Sequence, residues 1–133
     1  MNILKAVITS VSTSEHLSCL GVSVGADTFY LLLAEASDEK KLLNTPVTLA
    51  FKETEVILSE VFSAATANMQ RARVQTIERG IILSQITLTY HETTIMALVP
   101  TLTFNTLSIR EGDEVCWMVQ PSEISLLRET HGI

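Results

Sequence analysis

Two tripeptides in the sequence place hydrogen-bond donors of several kinds within a single turn. Lys52-Glu53-Thr54 and Gln120-Pro121-Ser122 each lie between the last two strands predicted for one half of the chain. An ammonium group, a hydroxyl and main-chain N–H groups that converge at a turn suit a tetrahedral oxyanion, because they are donors without competing acceptors. Asn2 and Asn68, at the matching starts of the two halves, belong to the same pattern. The more ordinary alternative for such residues is a solvated turn.

The other chemistry-bearing residues indicate neither catalysis nor metal binding. His16, His91 and His131 fall in or near turns or near the carboxyl end, and no serine-centred or cysteine-centred nucleophile motif accompanies them. The glycines are dispersed, so neither a P-loop nor G-x-G-x-x-G occurs. Acidic clusters at 38–39 and 111–114 are typical of solvated surfaces. We therefore expect a protein that is not an enzyme and that holds no metal through its own ligands.

Composition excludes several further classes of protein. The chain has 133 residues, of which 47% are hydrophobic and 18% charged, so it is apolar enough to fold. Its net charge of -6 lacks the basic footprint of a nucleic-acid-binding protein, and no apolar run approaches the ~20 residues of a membrane span. Cys19 and Cys116 are far apart and flanked by apolar residues, which favours buried free thiols. We expect a cytoplasmic protein with neither nucleic acid nor membrane as partner.

Hydrophobic patterning predicts the same order of elements twice: three strands, a short helix and two strands. Pro46 ends the first helix, because proline disfavours helical geometry at the preceding residue. The predicted strands cover 3–12, 17–24, 28–34 and two stretches within 47–60, then 69–80, 82–90, 93–100, 114–120 and 122–129, and the helices lie within 35–43 and 101–109.

The two halves align at nearly constant spacing, as an internal repeat requires. An offset of 66 pairs Asn2 with Asn68 and Ile8 with Val74. After an insertion of two residues before the fourth strand, an offset of 68 pairs Lys52 with Gln120, Thr54 with Ser122 and Val56 with Ile124.

The predicted fold class is all-β, with one short helix per repeat and two tandem OB-like five-stranded antiparallel barrels. The predicted division is a first domain at 1–60, a linker at 61–65, a second domain at 66–128 and a tail at 129–133. A unit of sixty residues buries only ~60% of its unfolded surface, so we expect the units to pack on each other and on other chains. Five large side chains are expected to fill the core or interfaces: Tyr30, Phe51, Met69, Met96 and Trp117.

Four short motifs resemble those of the molybdenum-pterin-binding (Mop) domain, also called the TOBE domain, in the tandem form found in molbindins. Residues 2–8, which run from Asn2 through Lys5 to Ile8, are similar to the second half of the family's S-A-R-N-x-L-K-G-x-V. Residues 77–80 and 112–115 resemble its I-x-x-G and G-D-E-V turns, and residues 52–58 its K-A-S-x-V-I-L run.

The resemblance implies two OB-like barrels that bind molybdate or tungstate at interfaces between domains of a homo-oligomer, a trimer of two-domain chains. In that family main-chain N–H groups and Ser, Arg and Lys side chains hold the oxyanion, without protein ligands to the metal. The implied function is storage, buffering or homeostasis of the oxyanion. Carried onto this sequence, the oxyanion-binding residues are Asn2, Lys5, Lys52, Thr54, Asn68, Gln120 and Ser122.

Departures from the family pattern support a competing hypothesis. The second repeat has Gln120 where the family has lysine, and neither repeat has the arginine that precedes the family's asparagine. We expect anion affinity at first-repeat sites and weakened second-repeat sites, because a neutral donor replaces a charged one. The alternative is a TOBE-like oligomerisation or regulatory module that has lost oxyanion binding. Single-stranded nucleic acid binding by an OB-like barrel is disfavoured, because that function needs a basic groove with aromatic residues.

Overall fold

The structure is a computed structural model that describes residues 1–128. The predicted tail at 129–133, including His131, lies outside the described residues.

Ten strands, two single-turn α-helices and two 3-10 turns make up the described chain. The first repeat contains β1 (Asn2–Ser14), β2 (Leu17–Val24), β3 (Asp27–Leu33), α1 (Glu39–Leu42), β4 (Pro46–Phe51), a 3-10 turn (Glu53–Glu55) and β5 (Ile57–Ser59). The second contains β6 (Gln70–Arg79), β7 (Leu83–Tyr90), β8 (Thr93–Pro100), α2 (Thr101–Phe104), β9 (Glu114–Met118), a 3-10 turn (Pro121–Glu123) and β10 (Ser125–Arg128). The predicted all-β class with one short helix per repeat is confirmed.

Alternation of apolar and polar residues produces the strands, as β1 illustrates. Its first eight positions alternate between buried and exposed, with Leu4, Ala6 and Ile8 facing the core. The helix predicted within 35–43 is shorter than the pattern allows. It begins where the Asp38 side chain accepts a hydrogen bond from the Lys40 N–H (3.0 Å), and it ends before Asn44, which has a positive φ of 64°.

The strands form two five-stranded antiparallel sheets that exchange their closing strands. One sheet has the order β10-β4-β1-β2-β3, and the other has the order β5-β9-β6-β7-β8. Leu126 of β10 pairs with Leu49 of β4, while Leu58 of β5 pairs with Trp117 of β9. Each sheet therefore takes its last strand from the other repeat.

Two compact units follow from this exchange. Unit 1 comprises residues 1–2 and 52–119, and unit 2 comprises residues 3–51 and 120 onward. The segments 52–60 and 120–128 therefore belong to the opposite unit from the one that the linear division 1–60 and 66–128 assigns. That division remains a prediction about the sequence repeat, because the compact units are composed differently.

Within each unit the backbone repeats its irregularities at the offsets read from the sequence. A bulge interrupts the β1–β2 register between Ile8 and Ser10, and another interrupts the β6–β7 register between Val74 and Thr76. The Ile8 N–H donates to the Thr45 carbonyl (3.1 Å), and the Val74 N–H donates to the Asp113 carbonyl (2.8 Å). Such matching bulges and loop contacts support a true structural repeat.

The core of each unit is apolar, with one aromatic cluster in unit 1. Trp117 is fully buried there, and its ring meets that of Tyr90 edge to face at 5.1 Å. Among the other residues expected in the core or at interfaces, Phe51 is buried, Met69 and Met96 are half-buried, and Tyr30 is exposed.

The two cysteines are free thiols, as expected. Cys116 is buried, and its burial raises the pKa of the thiol. Cys19 is only half-buried.

Candidate functional site

The turn at residues 52–55, here called turn 1, presents the predicted donors on a defined backbone. Lys52 precedes a 3-10 turn in which the Glu55 N–H donates to the Lys52 carbonyl (3.0 Å). Val56, immediately after the turn, is buried and anchors it. The first N–H groups of such a turn have no partner within it, and the Lys52 and Thr54 side chains are exposed. Turn 1 therefore combines an exposed ammonium and an exposed hydroxyl, while the Glu53 N–H is bonded to the Glu53 carboxylate.

An acidic residue in the middle of turn 1 is already paired. The Glu53 carboxylate lies 2.7 and 3.0 Å from the α-ammonium nitrogen of Met1. That hydrogen-bonded ammonium, together with a main-chain hydrogen bond, lowers the pKa of the Glu53 carboxyl. Because the pair neutralises the carboxylate, it reduces the repulsion that an anion beside Lys52 would meet.

Asn2 is a buried structural residue of the same unit. Its Nδ2 donates to the Met96 carbonyl (2.8 Å), and its Oδ1 accepts from the Met96 N–H (2.8 Å). The amide thus extends the hydrogen bonding of β8, the edge strand along which turn 1 also packs. Asn2 and turn 1 are held on one strand, with Asn2 in a positioning role.

The turn at residues 120–123, here called turn 2, has the same form in unit 2. The Glu123 N–H donates to the Gln120 carbonyl (2.9 Å), and Ile124 after the turn is buried. Turn 2 packs along the edge strand β3. Gln120 and Ser122 are exposed, and Pro121, which stands at the position of Glu53, has no N–H.

The last two predicted site residues, Asn68 and Lys5, differ from each other in burial. Asn68 is buried in unit 1 with a positive φ of 60°, and its Nδ2 donates to the Val119 carbonyl (2.9 Å). Asparagine tolerates this left-handed backbone better than most residues do. Lys5 is exposed on β1 in unit 2.

The predicted oxyanion-binding residues divide between the two units. Asn2, Lys52, Thr54 and Asn68 belong to unit 1, whereas Lys5, Gln120 and Ser122 belong to unit 2. Sequence reasoning did not find the main-chain groups of Met96, because nothing in a side chain signals which carbonyl a distant amide will meet. The absence of a main-chain N–H at Pro121 is evident from the sequence.

Beside Thr54, unit 1 contains an apolar pocket of about 200 Å³ that sequence reasoning also missed. It is lined chiefly by Val56, Leu58, Leu98, Val99, Phe104 and Leu107.

The part of the chain that the structure describes offers few other groups that could form a metal or catalytic site. Within residues 1–128 no three His, Cys, Asp or Glu side chains are grouped so that they could hold a metal ion. His16 and His91 are exposed in turns, as expected. None of the helices among these residues is long and apolar enough to cross a membrane.

Comparison with known proteins identifies the fold. No protein-family model matches the sequence, and no curated protein matches it. The structure is similar to a crystal structure of ModG, a cytoplasmic molybdate-binding protein, in a form with molybdate bound. The TM-score is 0.83 at 17% sequence identity, and the match covers 96% of each chain. At this identity the likeness establishes the fold.

Proposed function

We propose that this protein binds molybdate or tungstate as an intact tetrahedral oxyanion. The observation that carries the proposal is the fold match with ModG, a protein solved with molybdate bound, over 96% of both chains. The protein acts as a binding protein for storage, buffering or homeostasis of the oxyanion in the cytoplasm, and not as an enzyme.

Turn 1 supplies the chemistry for this function. The Lys52 ammonium and Thr54 hydroxyl are exposed next to main-chain N–H groups, and hydrogen bonds from such groups to an anion are charge-assisted. Because the net charge of the chain is -6, the overall field repels an anion and the affinity depends on these local donors. Molybdate and tungstate are both tetrahedral dianions, so the same donors serve either.

The wider assembly in this proposal follows the Mop/TOBE resemblance of the sequence. Each repeat supplies an OB-like barrel, and the oxyanion lies at interfaces between domains of a homo-oligomer, a trimer of two-domain chains. Sites built around turn 1 retain affinity, whereas sites built around turn 2 are weakened because Gln120 is neutral where turn 1 has Lys52.

Calorimetric titration of the purified chain with molybdate and with tungstate tests the proposal. We expect heat of binding and a raised melting temperature with both anions, and a weaker response to sulfate, which is a smaller tetrahedral dianion. The variant Lys52→Ala should abolish the response, while the matched variant Gln120→Ala should leave it nearly unchanged. Absence of heat and of any change in melting temperature at millimolar molybdate contradicts the proposal.

A second candidate function is an oligomerisation or regulatory module without a ligand. The observation that favours it is turn 2, which keeps the backbone of turn 1 without its cation and first N–H. This candidate predicts stable oligomers whose mass and melting temperature do not respond to any oxyanion. Light scattering with and without molybdate separates the two functions.

A further inference from the structure

Unit 1 exposes a ridge of four large apolar side chains at one end of its sheet. Ile81, Ile82 and Leu83 lie at the β6–β7 connection, and Leu102 lies on α2. Their exposed fractions are 94%, 76%, 47% and 85%, which together equal about three whole side chains. We call these four residues the ridge.

The ridge is held rigidly by hydrogen bonds to the first residue of α2. The Thr101 N–H donates to the Ile82 carbonyl (2.8 Å), and the Thr101 hydroxyl donates to the Gly80 carbonyl (2.8 Å). The same hydroxyl shares a hydrogen bond of 2.8 Å with Ser84, whose side chain is fully buried. Because these bonds already fix the backbone of the connection, covering the ridge costs mainly side-chain entropy.

The apolar pocket of about 200 Å³ adjoins α2. Thr103 and Phe104 of α2 line it, and so does Pro100, which pairs with Leu83 of the ridge. Ridge, helix and pocket are therefore continuous. We call this surface the α2 face.

Three of the four equivalent positions in unit 2 have different chemistry. Sixty-six residues earlier than Ile81, Ile82 and Leu102 stand Glu15, His16 and Ala36, whereas the equivalent of Leu83 is Leu17, which is exposed as well. The repeat fold therefore does not require a ridge at this place, and packing within a unit does not explain it. Three nearly fully exposed apolar side chains grouped at one place indicate an interaction site.

We propose that the α2 face is an isologous contact between two copies of this chain, in which the ridge of each copy enters the pocket of the other. In a twofold contact the same patch serves both partners, so one patch must carry both the projection and the pocket. The α2 face does so.

The area of the α2 face agrees with that of a stable contact. A fully exposed leucine or isoleucine side chain presents on the order of 100 Å² of apolar surface, so the ridge contributes about 300 Å² per copy. A standard interface buries about 800 Å² per partner, of which a little over half is apolar. The ridge and the pocket rim together supply most of that apolar share.

Molar mass in solution, measured by sedimentation velocity over a range of micromolar concentrations, tests the contact. We expect the double variant Ile82→Glu/Leu102→Glu to have half the mass of the wild-type assembly. The double variant His16→Glu/Ala36→Glu adds the same acidic groups at the matched positions of unit 2 and should keep the wild-type mass. Thr103→Arg, which fills the pocket from its exposed rim, should halve the mass as the ridge variant does.

Because all these substitutions are at exposed or half-exposed positions, each variant is first compared with the wild type by thermal unfolding. If the glutamate variant unfolds early, Ile82→Ala/Leu102→Ala takes its place with the same expectation. If the wild-type chain has the same mass as the ridge variant, the proposal is overturned. That result is also the one expected if a different protein covers the α2 face. If the unit 2 control dissociates to the same extent as the ridge variant, the proposal is also overturned. Because Thr54 of turn 1 also lines the pocket, molybdate binding by each variant is measured separately by calorimetry, and loss of mass is thereby distinguished from loss of anion binding.

Discussion

Turn 1 and turn 2 have nearly the same backbone and different chemistry. The φ and ψ angles before the 3-10 turn are -75° and 148° at Lys52, and -64° and 143° at Gln120. After the turn they are -81° and 122° at Val56, and -96° and 126° at Ile124. The shape follows from the buried residue and the internal hydrogen bond, both of which recur. The exposed positions are free to differ, and they decide whether the turn can hold an anion.

The largest expected effect is on stability, from substitution of Asn2, which bonds to the strand along which turn 1 packs. Asn2→Ala removes both hydrogen bonds to Met96, and an unsatisfied buried group costs about 1–3 kcal/mol, so we expect a loss of about 2–4 kcal/mol in the free energy of unfolding. Urea unfolding measures this loss. Hydrogen exchange should become faster at the Glu55 N–H and stay unchanged at the Glu123 N–H. Equal acceleration at both amides would show that Asn2 does not act on turn 1 specifically.

The next effect makes turn 1 chemically similar to turn 2. Lys52→Gln replaces a charged donor, worth about 1.5–3 kcal/mol, by a neutral one, so the Kd for molybdate should rise roughly ten- to a hundredfold. The matched control is Gln120→Ala, which should change the Kd less than twofold. Calorimetry measures both, and an unchanged Kd for Lys52→Gln would place the anion elsewhere.

The reverse exchange should have a smaller effect. Gln120→Lys combined with Pro121→Ala gives turn 2 a cation and a main-chain N–H without adding a carboxylate, so we expect additional molybdate bound per chain with a several-fold stronger overall response. Pro121→Ala alone serves as the control, because it restores the N–H without the cation. A stoichiometry that stays at the wild-type value would mean that donors other than these limit the second site.

The smallest effect is a pH dependence confined to turn 1. The pKa of Glu53 is lowered in the folded chain, so its pairing with the Met1 ammonium stabilises the fold above the ordinary glutamate pKa and is lost as the pH falls through the lowered value. For an exposed pair the contribution is below ~1 kcal/mol. Glu53→Gln should therefore lose less stability than the wild type between about pH 5 and pH 3. Parallel curves for the two proteins would exclude the pairing.

Much of the fold was predictable because it depends on local pattern. The alternation in β1 and the apolar run of β8 identify strands without knowledge of their partners, and Pro46 marks the end of the first helix. The constant offset predicted the repeat, and the bulges after Ile8 and Val74 recur at the matched positions.

The candidate site was predictable in its residues and not in its contacts. Lys52 and Thr54 stand out by type and by position in a turn. The pairing of Glu53 with Met1, and of Asn2 with the backbone of Met96, joins positions 52 and 94 residues apart. Periodicity has no information about such pairs, because many carbonyls and carboxylates are chemically equivalent partners.

The sequence by itself determined the strands, the repeat and the donors available at each turn, because neighbouring residues decide which face of a strand is buried and which side chains are exposed. Only the tertiary structure decided that β5 closes the sheet of the second repeat and β10 that of the first. The two repeats share one apolar pattern, so either closing strand fits either sheet by pattern alone. The backbone hydrogen bonds of the folded chain select one pairing, and that selection places Lys52 and Thr54 in the same unit as Asn2.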